Sequence, residues 1–312
     1  VGEGWRYPPL VLTKKEGRFY GRGVADDKGP LAMLIIAFKE LAEDPDWNGS
    51  IVLAATVDEE VGGYTGLSYL LDEGIVAADY CIIGDGNIES IGHASNGCLR
   101  FRVTLYGKSV HSSLNWQGVN AIEKAAKLVT RLEEYNKLLQ TRKSRVRADP
   151  ASGVNQLTPS ISVGVIRGGL KANIVPDRCV LEVDRRVIPE ERKIDAVKEF
   201  KEILEDLKRE DEDFHYELVS GGFHNSWQTP ENHELVTTVK SAYEKIAKGP
   251  VDVLGSLGCL DAAYAAEHGI PVVNFGVSRV ESHTHGVDEF AYIKDMMDFG
   301  LIIKETILQL LK

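Results

Sequence analysis

SIVLAATVDEEVGG, residues 50–63, decides how this chain is read. Ile51 to Val57 is an apolar run of the length expected for a buried parallel strand. It ends in three acids, Asp58, Glu59 and Glu60, and a glycine pair follows at Gly62 and Gly63. Carboxylates delivered together to the end of a buried strand are costly unless a cation meets them. In open α/β sheets the ligand crevice lies outside the carboxyl ends of the strands. The stretch therefore predicts a cation site at that end.

The 312 residues suffice for one large or two medium domains. A net charge of −11 argues against nucleic acid or an anionic membrane surface as partner. No apolar stretch reaches the roughly 18 uncharged residues that span a bilayer. Cys81, Cys98, Cys179 and Cys259 show no CxxC spacing and sit beside apolar residues. They read as small buried thiols in a reducing compartment, which predicts a cytoplasmic protein. Clustered Glu and Lys with only three Met fit a thermophilic source. The chain opens on Val1 without a Met, so a longer natural protein is expected.

Residues 1–20 read as irregular. FYGRGVADDKG at 19–29 is Gly-rich and places Asp26 and Asp27 at the start of a helix opened by Pro30, where the helix dipole favours anions. A short strand at 80–83 ends in another acid, Asp85, between two glycines. Successive strand or loop ends thus present Asp26, Glu59/Glu60 and Asp85, in the βα alternation of a mostly parallel sheet. From about residue 95 the texture changes. Strands are predicted at 98–106, 159–166, 178–187 and 214–219, with helices at 118–140 and 190–209. This β-α-β-β-α-β order predicts a ferredoxin-like α+β lid inserted in an α/β domain. The expected domains are 1–94, 95–220 and 221–312. The last contains helices at 231–248 and from 292 onward, a strand at 271–276, and the segment ESHTHGVDEF at 281–290.

Asp26, Glu59, Glu60, Asp85 and the pair His283/His285 form a carboxylate-imidazole set without thiolate. Such a set suits Zn, Mn or Co better than Ca or Mg. Four acids and a histidine exceed the needs of one ion. Two divalent ions about 3.5–4 Å apart would neutralise them, activate a water and polarise a carbonyl oxygen. A carboxylate that is not a ligand can then act as general base, and the adjacent pair Glu59-Glu60 allows that division. No GxSxG elbow is present, and GRGVAD lacks the last glycine of a dinucleotide fingerprint.

GRGVADDKGP, TVDEEVGG, IIGDGN, GKSVHSS, GVNAI, LKANIVPD, EVDRR and HGVDEF occur in that order along the whole chain. Together they resemble the successive motifs of the di-zinc family of aminoacylases, acetylornithine deacetylases, succinyl-diaminopimelate desuccinylases and carboxypeptidase G-type enzymes. The resemblance implies a di-zinc exopeptidase-like catalytic domain with an inserted lid and a homodimer formed through that lid. It implies Asp26 as the bridging carboxylate before a cis peptide bond, Glu60 and His285 on one zinc, Asp85 on the other, and Glu59 as general base. His283 does not match the motif. By the same resemblance His111 would stabilise the oxyanion, Asn173 and Arg186 would bind a substrate carboxylate, and Gly258 and Asp261 would lie in a substrate-proximal loop. Asp261 reads equally as a helix cap.

The family carries a His-x-Asp motif upstream of a segment like VGEGW, and this chain starts after that point. One of the two zinc sites is therefore expected to be incomplete and the activity of the chain weak. The function implied is hydrolysis of the amide bond of a small N-acyl amino acid or short peptide with a free carboxylate. The rivals are a truncated or degenerate relative acting as a binding or dimerisation module, and a mononuclear aminopeptidase-like enzyme.

Overall fold

The computed structural model of the protein describes residues 3–44 and 49–311. Val1 and Gly2, where the reading of the start of the chain begins, lie outside them. In chain order the elements are β1 (Thr13–Lys15), β2 (Arg18–Tyr20), α1 (Lys28–Ala42), α2 (Tyr69–Asp72), β3 (Cys81–Ile83), β4 (Ser90–Ser95) and β5 (Gly97–Tyr106). Then follow α3 (Ala121–Leu139), β6 (Ser160–Gly168), β7 (Arg178–Val187), α4 (Lys193–Glu210), β8 (His215–His224) and β9 (Trp227–Gln228). The chain ends with α5 (Glu234–Ala247), β10 (Asp252–Ser256), α6 (Ala262–Glu267), β11 (Val272–Asn274), β12 (Phe290–Tyr292) and α7 (Ile293–Leu310).

The chain divides into two compact units, one of residues 1–94, 227–255 and 260–312, the other of residues 95–226 and 256–259. The second unit is a four-stranded antiparallel sheet in the order β6-β7-β5-β8. Numbered within the unit, that order is 2-3-1-4. Helix α3 begins where the Asn120 side chain accepts the backbone N–H groups of Ile122 and Glu123. Its buried residues Ala121, Ala125, Leu128 and Leu132 fall on one stripe, and those of α4, Ala196, Phe200 and Leu204, on another. Alternate residues of β5 and β7 complete the core, where the Phe101 and Phe200 rings stack with centroids 4.1 Å apart.

The first unit holds two sheets. One joins β1, β2 and β12; the other runs β10-β4-β11-β3, with β9 beside β4. Helices α1, α5 and α7 cover an apolar core containing Val236, Val273, Phe275, Phe299 and Ile302. The expectation of a mostly parallel sheet is corrected here. β3 pairs parallel with β11, but β11 meets β4 antiparallel, and the sheet joining β1, β2 and β12 is antiparallel throughout. The link at residues 84–89 is too short for the crossover of a dozen or more residues that parallel pairing requires, so β4 runs back.

A second correction concerns Ile51 to Val57. This segment carries no strand assignment, and Val52 and Val57 are 57% and 62% exposed. Apolar composition makes a strand only when another backbone exchanges hydrogen bonds with it, and no described residue pairs with this one. The segment instead borders a cleft of about 680 Å³ lined also by Leu34 and Phe38 of α1 and Ile303 and Ile307 of α7. Residues 13–20, read as irregular, form the hairpin β1–β2, turning through Glu16 and Gly17 at positive φ.

Candidate active site

The loop before α1 delivers Asp26. The Asp26–Asp27 peptide bond is cis, as the resemblance implied. What holds this loop is a residue the sequence reading did not single out. Glu289 is fully buried. Its Oε1 accepts the backbone N–H groups of Ala25 (3.0 Å) and Asp26 (3.3 Å), and its Oε2 that of Gly23 (3.1 Å). Its charge is met by Arg22, whose Nη1 lies 2.7 Å from Oε2. The same guanidinium donates through Nη2 to the carbonyls of His285 and Gly286 at 3.2 and 2.7 Å. His283, His285 and Asp288 adopt positive φ, a conformation that β-carbon-bearing residues hold only where their surroundings enforce it. The available signal in the sequence was an acid directly before the apolar pair Phe290-Ala291, a place where an unpaired carboxylate would not be buried.

Held this way, His285 Nε2 lies 2.9 Å from Asp26 Oδ2 and 2.8 Å from Glu60 Oε1. One ligand-type atom from each of the three residues falls within 4.8 Å of the others. Desolvation lowers the His285 pKa, but the carboxylates of Glu60 and Asp26 outweigh it and raise it. His283 does not join this group; its ring packs edge-on against Phe290.

Around this group the carboxyls are held above their ordinary range. Burial, then the charges of Asp85, Asp26 and Glu59, push Asp27 up to about 8. Burial and Asp26 push Asp85 up to about 6, against a hydrogen bond from the Gly86 backbone. Glu59 is exposed as a residue, yet desolvation of its carboxyl, followed by the charges of Asp261, Asp85, Glu60 and Asp26, raises it to about 7. Asp261 is raised to about 6 by burial. Both its carboxyl oxygens, and Oδ1 of Asp27, are buried without a hydrogen-bond partner. Asp261 precedes α6 but makes no side-chain cap bond, which removes its reading as a helix cap. A β-carbon at Gly63 would overlap the Asp261 carboxyl, so only glycine permits this approach. Asp58 accepts a hydrogen bond from Thr65 and takes no part in the group. Raised carboxyls, orphaned carboxyl oxygens and an N/O donor set around one histidine are what a divalent cation site leaves when only its protein atoms are counted. The residues present fit such an ion.

The other candidates lie in the second unit. His111 is exposed, its Nδ1 within 2.8 Å of Ser113 Oγ, and it bridges to Ile174. The carbonyl of exposed Asn173 accepts the N–H of Ser112, so these two candidates share one surface. Arg186 is half-buried, with Nε 2.7 Å from Asp184 Oδ1 and Nη1 3.6 Å from Cys259 Sγ. Gly258 is exposed and donates its N–H to Ser256 Oγ.

Compared with known proteins, residues 1–309 match the family described as peptidase family M20/M25/M40. The chain belongs to this family. It is 29% identical over 336 residues to a probable succinyl-diaminopimelate desuccinylase of Staphylococcus aureus (strain N315), covering 99% of this chain and 80% of that protein. It is 33% identical over 185 residues to an acetylornithine deacetylase of Proteus mirabilis, covering 59% of this chain and 46% of that one. Among solved structures, aminopeptidase PepT from Bacillus cereus superposes with a TM-score of 0.78 at 24% identity, covering 97% of this chain and 76% of that one. A family M20 metallo-carboxypeptidase from Sulfolobus solfataricus gives 0.74 at 21% identity, covering 97% and 80%. At these identities the superpositions show the fold. Family membership makes the chain a hydrolase of the metallopeptidase and amidohydrolase type, acting on N-acyl amino acids or peptides, and M20 enzymes are metal-dependent, typically with zinc. No described helix is long and apolar enough to cross a membrane.

Proposed function

We propose that this M20 chain hydrolyses the amide bond of a small N-acyl amino acid or short peptide bearing a free carboxylate. The observation that carries the reading is the approach of His285 to both Asp26 and Glu60, with the raised carboxyl of Glu59 alongside. Glu60 and His285 would hold one divalent ion, Asp85 a second, and Asp26 both. Zinc is the natural occupant, with cobalt or manganese as substitutes. When bound, the metal supplies Lewis acidity and acidifies water.

The chain's own groups do the rest. Glu59, with its carboxyl near neutrality, takes the proton of the attacking water and later returns it to the leaving amine. Asp261, itself raised by burial, adds its charge to the carboxylates that raise Glu59. His111 donates to the developing oxyanion. Arg186, whose guanidinium can grip a carboxylate in two places, and Asn173 orient the substrate, and Gly258 leaves room for its backbone. We further propose that residues 95–226 act as a lid and as the dimerisation surface. A screen of acetyl, succinyl and dipeptide substrates with added zinc, cobalt or manganese tests the reading. Turnover of at least one carboxylate-bearing amide that disappears in Glu59→Gln is expected; metal-independent turnover would overturn it.

A further inference from the structure

The second unit contains a set of reactive side chains whose thiols the proposed hydrolysis does not use. The register of β5 against β7 puts Cys98 opposite Arg186. Cys98 is 1% exposed and donates its Sγ–H to Asp184 Oδ2 at 3.1 Å. Asp184 Oδ1 accepts from Arg186 Nε at 2.7 Å, and Arg186 Nη1 reaches Cys259 Sγ at 3.6 Å. Cys98 and Cys259 thus sit at the two ends of the same Asp184–Arg186 pair. Cys259 is the half-buried thiol of the pair and Cys98 the buried one.

The two thiols are not equivalent. The neighbouring Cys98 thiol, aided by the Arg186 charge and opposed by desolvation, lowers Cys259 to about 6. The Cys259 side, with burial and the Asp184 carboxylate, raises Cys98. For Cys81 desolvation alone acts, and pushes it up to about 12. Burial likewise raises Cys179. A thiol held beside a guanidinium, reachable by solvent and next to a second thiol, has the surroundings of a reactive cysteine rather than a structural one.

We propose that Cys98 and Cys259 form a reversible oxidation site for hydroperoxides, with Cys259 as the attacking sulfur and Cys98 as the resolving one. The Cys259 sulfur attacks the terminal oxygen of the hydroperoxide. A sulfur–oxygen bond forms, the O–O bond breaks, and the alkoxide leaves, taking from solvent the proton that the Cys259 thiol had released, to become the alcohol. The Cys98 sulfur then attacks the Cys259 sulfur. The S–S bond forms, the S–O bond breaks, and the hydroxide leaves as water with the Cys98 proton, which Asp184 is placed to relay. Two thiols are oxidised and one hydroperoxide is reduced to alcohol and water.

The consequence for function rests on the reading of Arg186 as a carboxylate binder. Cys259 attacks as its thiolate, so before oxidation Arg186 faces that sulfur as well as the Asp184 carboxylate. The disulfide removes the thiolate and leaves the charges balanced. A substrate carboxylate then meets less repulsion, so KM for a carboxylate-bearing substrate should fall several-fold, while that for its amidated analogue should not change.

The test treats the purified chain with tert-butyl hydroperoxide and maps its peptides without reduction. A single link between the peptides carrying Cys98 and Cys259, undone by dithiothreitol and absent in Cys98→Ser, supports the site. Oxidation spread equally over Cys81 and Cys179, or stopping at Cys259 sulfinic acid with no link, overturns it. KM measurements on the linked chain separate the two readings. A link that forms with KM unchanged keeps the oxidation site and removes Arg186 from carboxylate binding.

Discussion

The carboxylate of Glu289 lies 2.7 Å from the guanidinium of Arg22, and through this pair two loops far apart in sequence are tied together. Glu289 gathers the N–H groups of Gly23, Ala25 and Asp26, while Arg22 holds the carbonyls of His285 and Gly286. The distance between Asp26 and His285 is thus set by two residues that are not themselves ligand candidates. Replacing Glu289 with Ala removes the carboxylate partner of the partly exposed Arg22 guanidinium and the acceptor of three N–H groups, a loss of about 3 kcal/mol. Urea unfolding should show that loss, and metal competition titration should show weaker zinc binding. Glu289→Gln, which keeps an acceptor oxygen, should recover part of both. Unchanged zinc affinity in Glu289→Ala would remove this residue from positioning the site.

The Glu59→Gln variant should lose about 10²–10⁴-fold in kcat. Its zinc content should match the parent, because the role proposed for Glu59 is to move a proton and not to hold the metal. Elemental analysis beside steady-state kinetics reads both quantities. A variant that is inactive because it lacks zinc would make Glu59 a ligand instead.

Zinc should stabilise the folded chain by mass action, by about 2.7 kcal/mol at a free concentration 100-fold above Kd. The thermal midpoint should therefore rise with added zinc and fall with a chelator. His285→Ala and Glu60→Ala should each reduce that rise. A midpoint indifferent to zinc in the parent chain would count against the whole ligand group.

Acid should act on the second unit through Asp211. Desolvation raises this carboxyl, but hydrogen bonds from Lys124 and Lys127 overcome it and hold it at about 2. Its folded value is below its unfolded value, so its stabilising contribution is complete above about pH 4 and is lost as pH falls toward 2. The contribution is at most about 2 kcal/mol. Asp211→Asn should flatten the decline of unfolding free energy across that window, measured by denaturant titration at several pH values. A decline as steep as the parent's would assign it to other carboxylates.

The second unit was legible because its evidence is local. Helix α3 declares itself through Ala121, Ala125, Leu128 and Leu132, and β7 by alternation, with Arg178–Val187 matching the expected span. The short strands β1, β2, β4 and β12 were not legible. Three to six residues carry little periodic signal, and their pairing is decided by segments elsewhere in the chain. Ile51 to Val57 failed for the complementary reason: it has the composition of a strand, but strand formation belongs to a pair of backbones.

The sequence alone determined which residue types stand at the ends of which segments: Asp26 before a helix, Glu59 and Glu60 after an apolar run, and His285 in HGVDEF. Those identities narrow the chemistry to carboxylates and imidazole around a cation, because ligand preference is a property of the side chain itself. Only the tertiary structure decided that Asp26, Glu60 and His285 meet, that Glu289 and Arg22 hold them there, and that Asp261 and Asp27 keep unpartnered carboxyl oxygens nearby. Distance, burial and the resulting shift in proton affinity depend on neighbours as much as 267 positions away. Such neighbours are assembled by folding, and no local pattern of residues encodes them.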